Sequence, residues 1–200
     1  MIKGFIFHFA LMFSIITYAQ ADCTYAQVEL SNKKHISLIR TDAQMVDNFT
    51  TENKGRVIDF SLVNSKGIVV LNIEVYKDSK EVLTPACIGK DARLSFRLTN
   101  GEEVVLPQIG ARLCGFQLES QQPGFYNIKN RGSFLITEDK YKTLKENPLV
   151  SMNLSSENFT FYSVITDELY DDVSDTIVNP TNYFIDYLNC VVNPTIVVQD

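Results

Sequence analysis

Histidine is nearly absent from this chain, which has only His8 and His35 among its 200 residues. His8 lies in the leader segment described below, so the mature protein keeps His35 alone. Histidine-rich metal sites are therefore excluded. A serine or cysteine nucleophile activated by histidine would depend on His35, which follows Lys33 and Lys34 in a short strand-like run, and no Gly-x-Ser-x-Gly elbow occurs. We expect His35 to be a surface residue of a strand.

Tryptophan is absent, and glycine is sparse, with nine residues. Glycine is too sparse for a dinucleotide-binding fingerprint. Gly110 and Gly115 have the spacing of a phosphate-binding loop, but Phe116 and Gln117 occupy the positions of the required Lys and Ser or Thr. The lack of tryptophan also argues against a carbohydrate-stacking surface.

A group of aromatic side chains is the remaining candidate for a sugar or peptide platform. Phe159 and Phe161 share one face of an alternating run, and only Tyr162 points the other way. Packing in the core explains this pattern more simply than a platform. The full group is Phe159, Phe161, Tyr162, Tyr183, Phe184 and Tyr187.

The first 21 residues have the pattern of a secretory signal peptide. One early cation, Lys3, precedes an apolar run over residues 4–16, and Ala19-Gln20-Ala21 matches the site that a signal peptidase cuts. A membrane anchor is the alternative, but the run is shorter than the roughly 20 residues that span a bilayer. A lipoprotein anchor on Cys23 is a further alternative, but the acidic Asp22 directly before the cysteine suits that processing poorly. We expect cleavage after Ala21 and one mature domain over residues 22–200.

The mature chain is acidic. Without Lys3, the 18 basic residues of the full chain become 17 against 24 acidic ones, a formal net charge of about −7. The densest basic stretch, residues 32–35, holds only two cations. Nucleic acid is therefore not an expected partner. No apolar run after the leader reaches membrane-spanning length, so we expect no transmembrane segment after cleavage.

Four cysteines follow the predicted leader, and in an oxidising compartment they favour two disulfides. Sequence alone allows three pairings. We prefer Cys87 with Cys114, which closes a loop around the hairpin described next, and Cys23 with Cys190, which joins the two ends of the mature chain. The wide spacing does not match the paired ligands of a zinc site.

Residues 93–106 contain the clearest folding signal. Leu94, Phe96 and Leu98 alternate with polar residues, as expected of a strand with one buried face, and Asn100-Gly101 follows as a turn. A three-residue loop over 99–101, with Gly101 left-handed, would pair Phe96 with Val104, Leu94 with Leu106 and Arg97 with Glu103. A two-residue turn would leave Val104 and Leu106 on the wet face. We predict the three-residue loop.

The other elements follow from similar patterns. Residues 25–30 and 35–39 predict short strands, 57–63 with 68–76 predict a hairpin, and 149–154 with 159–165 predict another. Residues 41–49 are expected to form one turn or a loop. Thr137 and Asn179-Pro180 predict the starts of two helices. The predicted fold is α+β, with a curved antiparallel sheet built from three hairpins, covered on one face by the two helices and reinforced by disulfides.

Residues 166–175 form an acidic segment. If it were helical, Asp167, Asp171 and Asp175 would lie near one face and could bind calcium, or supply an acid and a base for glycoside hydrolysis. The spacing is not that of a calcium-binding loop, and a solvated charged surface is the simpler interpretation. No other cofactor is expected.

The stretch Tyr18–Cys23, followed by a small β-rich chain with four cysteines, resembles secreted and periplasmic proteins of Bacteroidetes-type bacteria for which no activity is known. The resemblance implies a periplasmic or extracellular location and carries over no functional residue. Since the common catalytic groupings are missing, we expect a secreted, non-catalytic binding or interaction module whose partner is a protein or small ligand. The alternative is a carboxylate-dependent hydrolase acting on extracellular polymer.

Overall fold

The structure is a computed structural model that describes residues 23–31, 35–120, 123–157, 159–172 and 174–194. The predicted signal peptide over residues 1–21 lies outside the described residues, as do Lys33 and Lys34. Within the described part of the chain, no helix is long and apolar enough to cross a membrane.

The described residues form fifteen strands, two α-helices and one 3-10 turn. The strands are β1 (Tyr25–Leu30), β2 (Ile36–Thr41), β3 (Gln44–Thr50), β4 (Lys54–Ser65), β5 (Ile68–Ser79), β6 (Cys87–Ile88), β7 (Arg93–Leu98), β8 (Glu103–Pro107), β9 (Leu113–Cys114), β10 (Phe116–Leu118), β11 (Tyr126–Ile136), β12 (Leu149–Ser155), β13 (Thr160–Val164), β14 (Leu169–Asp171) and β15 (Thr176–Val178). The helices are α1 (Glu138–Glu146) and α2 (Tyr183–Val192), and the 3-10 turn Pro180–Asn182 precedes α2.

The larger sheet is antiparallel and has seven strands in the order β1-β2-β4-β5-β11-β10, with β3 also paired to β4. Its centre is the long β4–β5 hairpin, in which Ser65 pairs with Ile68. The turn consists of Lys66 and Gly67, with φ angles of 52° and 89°, as two-residue hairpin turns require. The hairpin expected in this region is present, and its turn is two residues shorter than the expected 64–67 segment.

The smaller sheet has four strands in the order β13-β12-β7-β8. In the β7–β8 hairpin, Phe96 pairs with Val104, Leu94 with Leu106, and Arg97 with Glu103, which is the predicted register. The φ angle of Gly101 is 86°, and its N–H donates to the Leu98 carbonyl at 3.0 Å. With this three-residue loop, the alternating apolar residues of both strands lie on the same, buried face of the hairpin.

The core lies where the two sheets and α2 meet. Phe60 of β4 and Phe96 of β7 pack edge to face, with ring centroids 5.9 Å apart. Tyr183 packs against Phe60 and Phe184 against Phe96, each at 5.3 Å. All four rings are almost completely buried. Offset and edge contacts of this kind add to the stabilisation from the buried apolar area.

A polar cluster also connects the two sheets. Arg56 on β4 forms an ion pair with Asp47 on β3 at 2.8 Å and donates to the Ser163 hydroxyl on β13 at 3.2 Å. Ser163 also donates to Asp47. The Arg56 guanidinium lies over the Phe161 ring at 5.4 Å. The cluster satisfies the half-buried Arg56 and Asp47 charges and holds β13 against β3 and β4.

The structure contains both disulfides in the pairing that the sequence analysis prefers. Cys23 is bonded to Cys190 of α2, with Cα atoms 5.6 Å apart. Cys87 and Cys114 are directly opposite each other in the short β6–β9 ladder. Asn130 of β11 fixes this ladder to the larger sheet, because its buried carbonyl oxygen accepts the Ala86 N–H at 2.9 Å.

The coarse fold prediction is confirmed: the protein is mostly curved antiparallel sheet, with two helices and two disulfides. The finer arrangement, one sheet of three hairpins with both helices on one face, is not confirmed and stays a prediction. The expected loop at residues 41–49 was wrong, because β3 forms there. A bulge between Met45 and Asp47 buries Met45 and Val46 together, which hides the strand alternation.

Candidate functional site

The face of the larger sheet that points away from the core is charged at its centre. Phe60 points toward the smaller sheet, so Asp59 points the other way. In the pairing of the three central strands, Asp59 is opposite Glu74, and Glu74 is opposite Arg131. Lys129 lies opposite Tyr76 in the next row on the same face. Two carboxylates therefore face each other directly across β4 and β5.

A cavity of about 210 Å³ opens beside these carboxylates. We call it the acidic cavity. Ala26 and Ala43 contribute small side chains at its wall, which leaves the space open, and Arg40 contributes a cation. The complete lining is Ala26, Arg40, Thr41, Ala43, Asp59, Phe60, Ser61 and Glu74.

The negative charge of Glu74 is offset by neighbouring hydrogen-bond donors and cations. The Lys129 ammonium lies 2.7 Å from its Oε2 atom, and the Tyr76 hydroxyl donates to the same oxygen at 2.8 Å. Burial alone would raise the pKa of Glu74. The hydrogen bonds from Lys129 and Tyr76 and the charges of Lys129 and Arg131 outweigh it, so the pKa lies below its ordinary value. Glu74 is therefore ionised at neutral pH and already has its partners.

The carboxyl of Asp59, unlike that of Glu74, lacks such partners in the part of the chain that the structure describes. No hydrogen bond or ion pair joins its carboxyl to any of the described residues. Burial raises its pKa, the negative charges of Glu74 and Asp171 raise it further, and Lys129 lowers it only in part, so the pKa is about 6. The cavity thus contains a half-buried acid that ionises near neutral pH without a positive partner of its own.

The acidic segment contributes to this electrostatic field and forms strands, not a helix. The strands β14 (Leu169–Asp171) and β15 (Thr176–Val178) pair as an antiparallel hairpin, which contacts β3 near the cavity. Asp171 belongs to β14, while Asp167 precedes it and Asp175 lies in the turn with a φ of 55°. Tyr170 donates to Asp175, and Ser174 donates to Asp171 at 2.8 Å. Asp167, Asp171 and Asp175 therefore do not share a helical face, because Asp171 and Asp175 belong to a hairpin that Asp167 precedes.

Within the part of the chain that the structure describes, no group of three or more His, Cys, Asp or Glu side chains is arranged to hold a metal ion. His35 is exposed immediately before β2. The aromatic residues proposed as a platform are mostly core: Phe159 and Phe161 are buried, as are Tyr183 and Phe184. Only Tyr162 has most of its side chain in solvent.

The pairing of Asp59 with Glu74 is not among the features expected from the sequence, although the sequence contains a signal for it. A two-residue turn at Lys66-Gly67 places residue 65 opposite 68, and the same register places 59 opposite 74. Like charges directly across a ladder are unfavourable. An Asp and a Glu in that position therefore point to a local requirement other than stability.

Comparisons of the chain with protein-family models, with curated proteins and with solved structures find no match. We therefore infer the function from the geometry of the acidic cavity.

Proposed function

We propose that the protein is a secreted, non-catalytic binding module that binds a small ligand carrying a protonated amine in the acidic cavity. The observation that carries this proposal is the half-buried Asp59 carboxyl, which has no hydrogen-bond or ion-pair partner among the described residues. A bound ammonium group would offset the desolvation of Asp59 and its repulsion from Glu74. Ligand binding would thus supply the positive charge that the fold leaves out.

The cavity wall suits a compact polar molecule. Ser61 offers a hydroxyl near Asp59, and Arg40 can pair with an anionic or carbonyl group at the other side of the ligand. Glu74 is held by Lys129 and Tyr76, so it contributes negative potential rather than a free ligand-binding oxygen. These features favour a ligand whose cationic end enters beside Asp59.

A location outside the cytoplasm supports this interpretation. The two disulfides fit an oxidising compartment. The pattern of the first 21 residues agrees with export, and its resemblance to secreted proteins of Bacteroidetes-type bacteria points to the same location. In such a compartment the binding module would meet free amines, amino sugars or peptide termini.

Proton–nitrogen NMR can test binding with ethanolamine as the probe and ethylene glycol as its uncharged match. We expect ethanolamine to shift the backbone amide signals of Asp59, Ser61 and Glu74, and ethylene glycol to leave them in place. Asp59→Asn should weaken binding at least about tenfold, since it removes the charged partner. Asp167→Asn, which removes an exposed acid elsewhere, should bind normally. Equal shifts with both probes would contradict the proposal.

A second candidate function is a carboxylate-dependent hydrolase of extracellular polymer. The observation in its favour is that the facing carboxyls have opposite pKa shifts, with Asp59 raised to about 6 and Glu74 lowered. Such a split assigns an acid and a base in many hydrolases. Asp59 and Glu74, and not residues 167–175, would then supply the acid and the base. Reducing-end release from a polysaccharide panel, lost in both Asp59→Asn and Glu74→Gln, would favour this candidate over binding alone.

Calcium binding by Asp167, Asp171 and Asp175 is a weaker hypothesis that can be tested separately. The hairpin separates Asp167 from Asp175, and internal hydrogen bonds engage Asp171 and Asp175. Calcium needs several oxygen ligands around one point. A calcium-dependent rise in melting temperature that disappears in Asp171→Asn would support a site, whereas no rise would contradict calcium binding.

A further inference from the structure

The strand β13 lies at the edge of the smaller sheet. It pairs with β12 on one side, and the strand order ends there. The N–H of Ile165 donates to the Val150 carbonyl at 2.9 Å, which fixes the alternation of the ladder. Phe161 and Ser163 consequently direct their backbone groups toward β12. Thr160, Tyr162 and Val164 direct theirs away from the sheet.

These outward backbone groups have no backbone partner among the residues that the structure describes. Tyr162 and Val164 are 61% and 60% exposed. Residues 159–165 contain no charge and no proline. Natural proteins usually protect an edge strand with lysine, proline or a bulge, because an open edge pairs with other chains. Nothing in β13 provides such protection.

The inner side of β13 is held firmly. Ser163 belongs to the cluster with Arg56 and Asp47, and the Phe161 ring lies under the Arg56 guanidinium. Lys77 lies 4.1 Å from the centroid of the Phe159 ring, at the start of the same segment. The edge is therefore a preorganised surface, so less ordering entropy is lost when another strand pairs with it.

The charges at the two ends of this segment indicate what kind of strand could pair there. Glu157 precedes the uncharged residues 159–165, and Asp167 and Glu168 follow them. The contact of Glu157 with Arg112 is long, 3.8 Å, and both side chains are exposed, so the negative charge remains available. Antiparallel pairing of two copies about Tyr162 would place Glu157 opposite Asp167 at both ends. Self-pairing is thus disfavoured.

We infer that β13 binds an extended segment of a partner polypeptide as an added strand, with uncharged β-forming residues in the middle of that segment and basic residues at its ends. Backbone hydrogen bonds to Thr160, Tyr162 and Val164 would supply most of the affinity. The flanking acids would select the basic ends of the partner. This surface is separate from the acidic cavity.

A synthetic peptide of sequence Lys-Lys-Thr-Val-Thr-Val-Thr-Lys-Lys, labelled for fluorescence polarisation, is a suitable probe. Two matched peptides serve as controls: one with Glu in place of every Lys, and one with alternate N-methylated residues that removes the donors on one edge. We expect binding of the first peptide and at least about tenfold weaker binding of both controls. Equal binding of the N-methylated peptide would overturn strand addition.

Tyr162→Pro is the most specific variant, because it removes one outward N–H and keeps the hydrogen bonds to β12. It should lose peptide binding while retaining the parent's melting temperature, and Tyr162→Thr should bind normally. If Tyr162→Pro does not fold, the charge-reversed variant Glu157→Lys with Asp167→Lys provides the second test. That variant should prefer the Glu-flanked peptide. An unchanged peptide preference, or a dimer of the parent protein in light scattering, would overturn the inference.

Discussion

Replacing Asp59 by asparagine should stabilise the protein at neutral pH. Burial, the facing Glu74 and the nearby Asp171 raise the pKa of Asp59 from 3.8 to about 6. One pKa unit corresponds to about 1.4 kcal/mol, so a shift of about two units represents about 3 kcal/mol. The carboxyl is only partly buried, and solvent screening reduces the expected gain in stability of Asp59→Asn to about 1–2 kcal/mol.

The size of this gain should depend on pH in a defined direction. Well below 3.8, Asp59 is protonated in both the folded and the unfolded state, so its environment costs no stability. Between pH 3.8 and about pH 6, the unfolded chain releases the proton while the folded protein keeps it, so the folded state loses stability. Above about pH 6 this loss of stability is complete. The advantage of asparagine should therefore grow across this pH window.

Urea denaturation at pH 7.5 and pH 4.0, followed by circular dichroism, measures both effects. Asp59→Asn should be more stable than the parent at pH 7.5 and nearly equal to it at pH 4.0. Asp47→Asn is the matched control, because Asp47 has an ion pair with Arg56 at 2.8 Å and its loss should destabilise the protein at pH 7.5. A destabilised Asp59→Asn variant, or the same difference at both pH values, would refute the reasoning.

Three further predictions concern the fold and can be checked by thermal or chemical denaturation. Gly101→Ala should lower the free energy of unfolding by about 1 kcal/mol because the φ angle of Gly101 is 86°. Gly89→Ala should leave it unchanged, and equal losses in the two variants would contradict the predicted turn. Removing Cys87 and Cys114 together should lower the free energy of unfolding by about 3–4 kcal/mol, since their disulfide closes a loop with a sequence separation of 27. An unchanged denaturation midpoint would refute this. Asn130→Ala should cost about 1–3 kcal/mol by leaving the Ala86 N–H unpaired, and a neutral result would exclude that role.

The parts of the fold that could be predicted from the sequence are those set by local patterns. The β7–β8 register follows from the alternation around Asn100-Gly101, because a turn type and a buried face together allow one pairing. Both helices begin close to the predicted positions, although Thr137 occupies the N-cap position of α1 without a side-chain cap hydrogen bond. The 3-10 turn that begins at Pro180 precedes α2.

The missed elements have inward-facing residues that break the apolar pattern. Most of β11 lacks a strand pattern in the sequence because Asn130 occupies a fully buried position on its inner face, where its side-chain oxygen accepts the Ala86 N–H. The strand β3 was hidden by its bulge at Met45. The candidate site was missed for a different reason: Asp59 and Glu74 become neighbours only through pairing, so neither residue is conspicuous in its own strand.

A carbon-13 NMR titration of the Asp59 carboxyl, with and without ethanolamine, tests the acidic cavity most directly. We expect a midpoint of about 6 in the free protein and a lower midpoint with ethanolamine bound, because a bound cation favours the ionised acid. By linkage, ethanolamine binding should tighten as the pH rises through that midpoint. A midpoint near the ordinary value of 3.8, unchanged by ethanolamine, would show that Asp59 is not an unpartnered acid in a binding cavity.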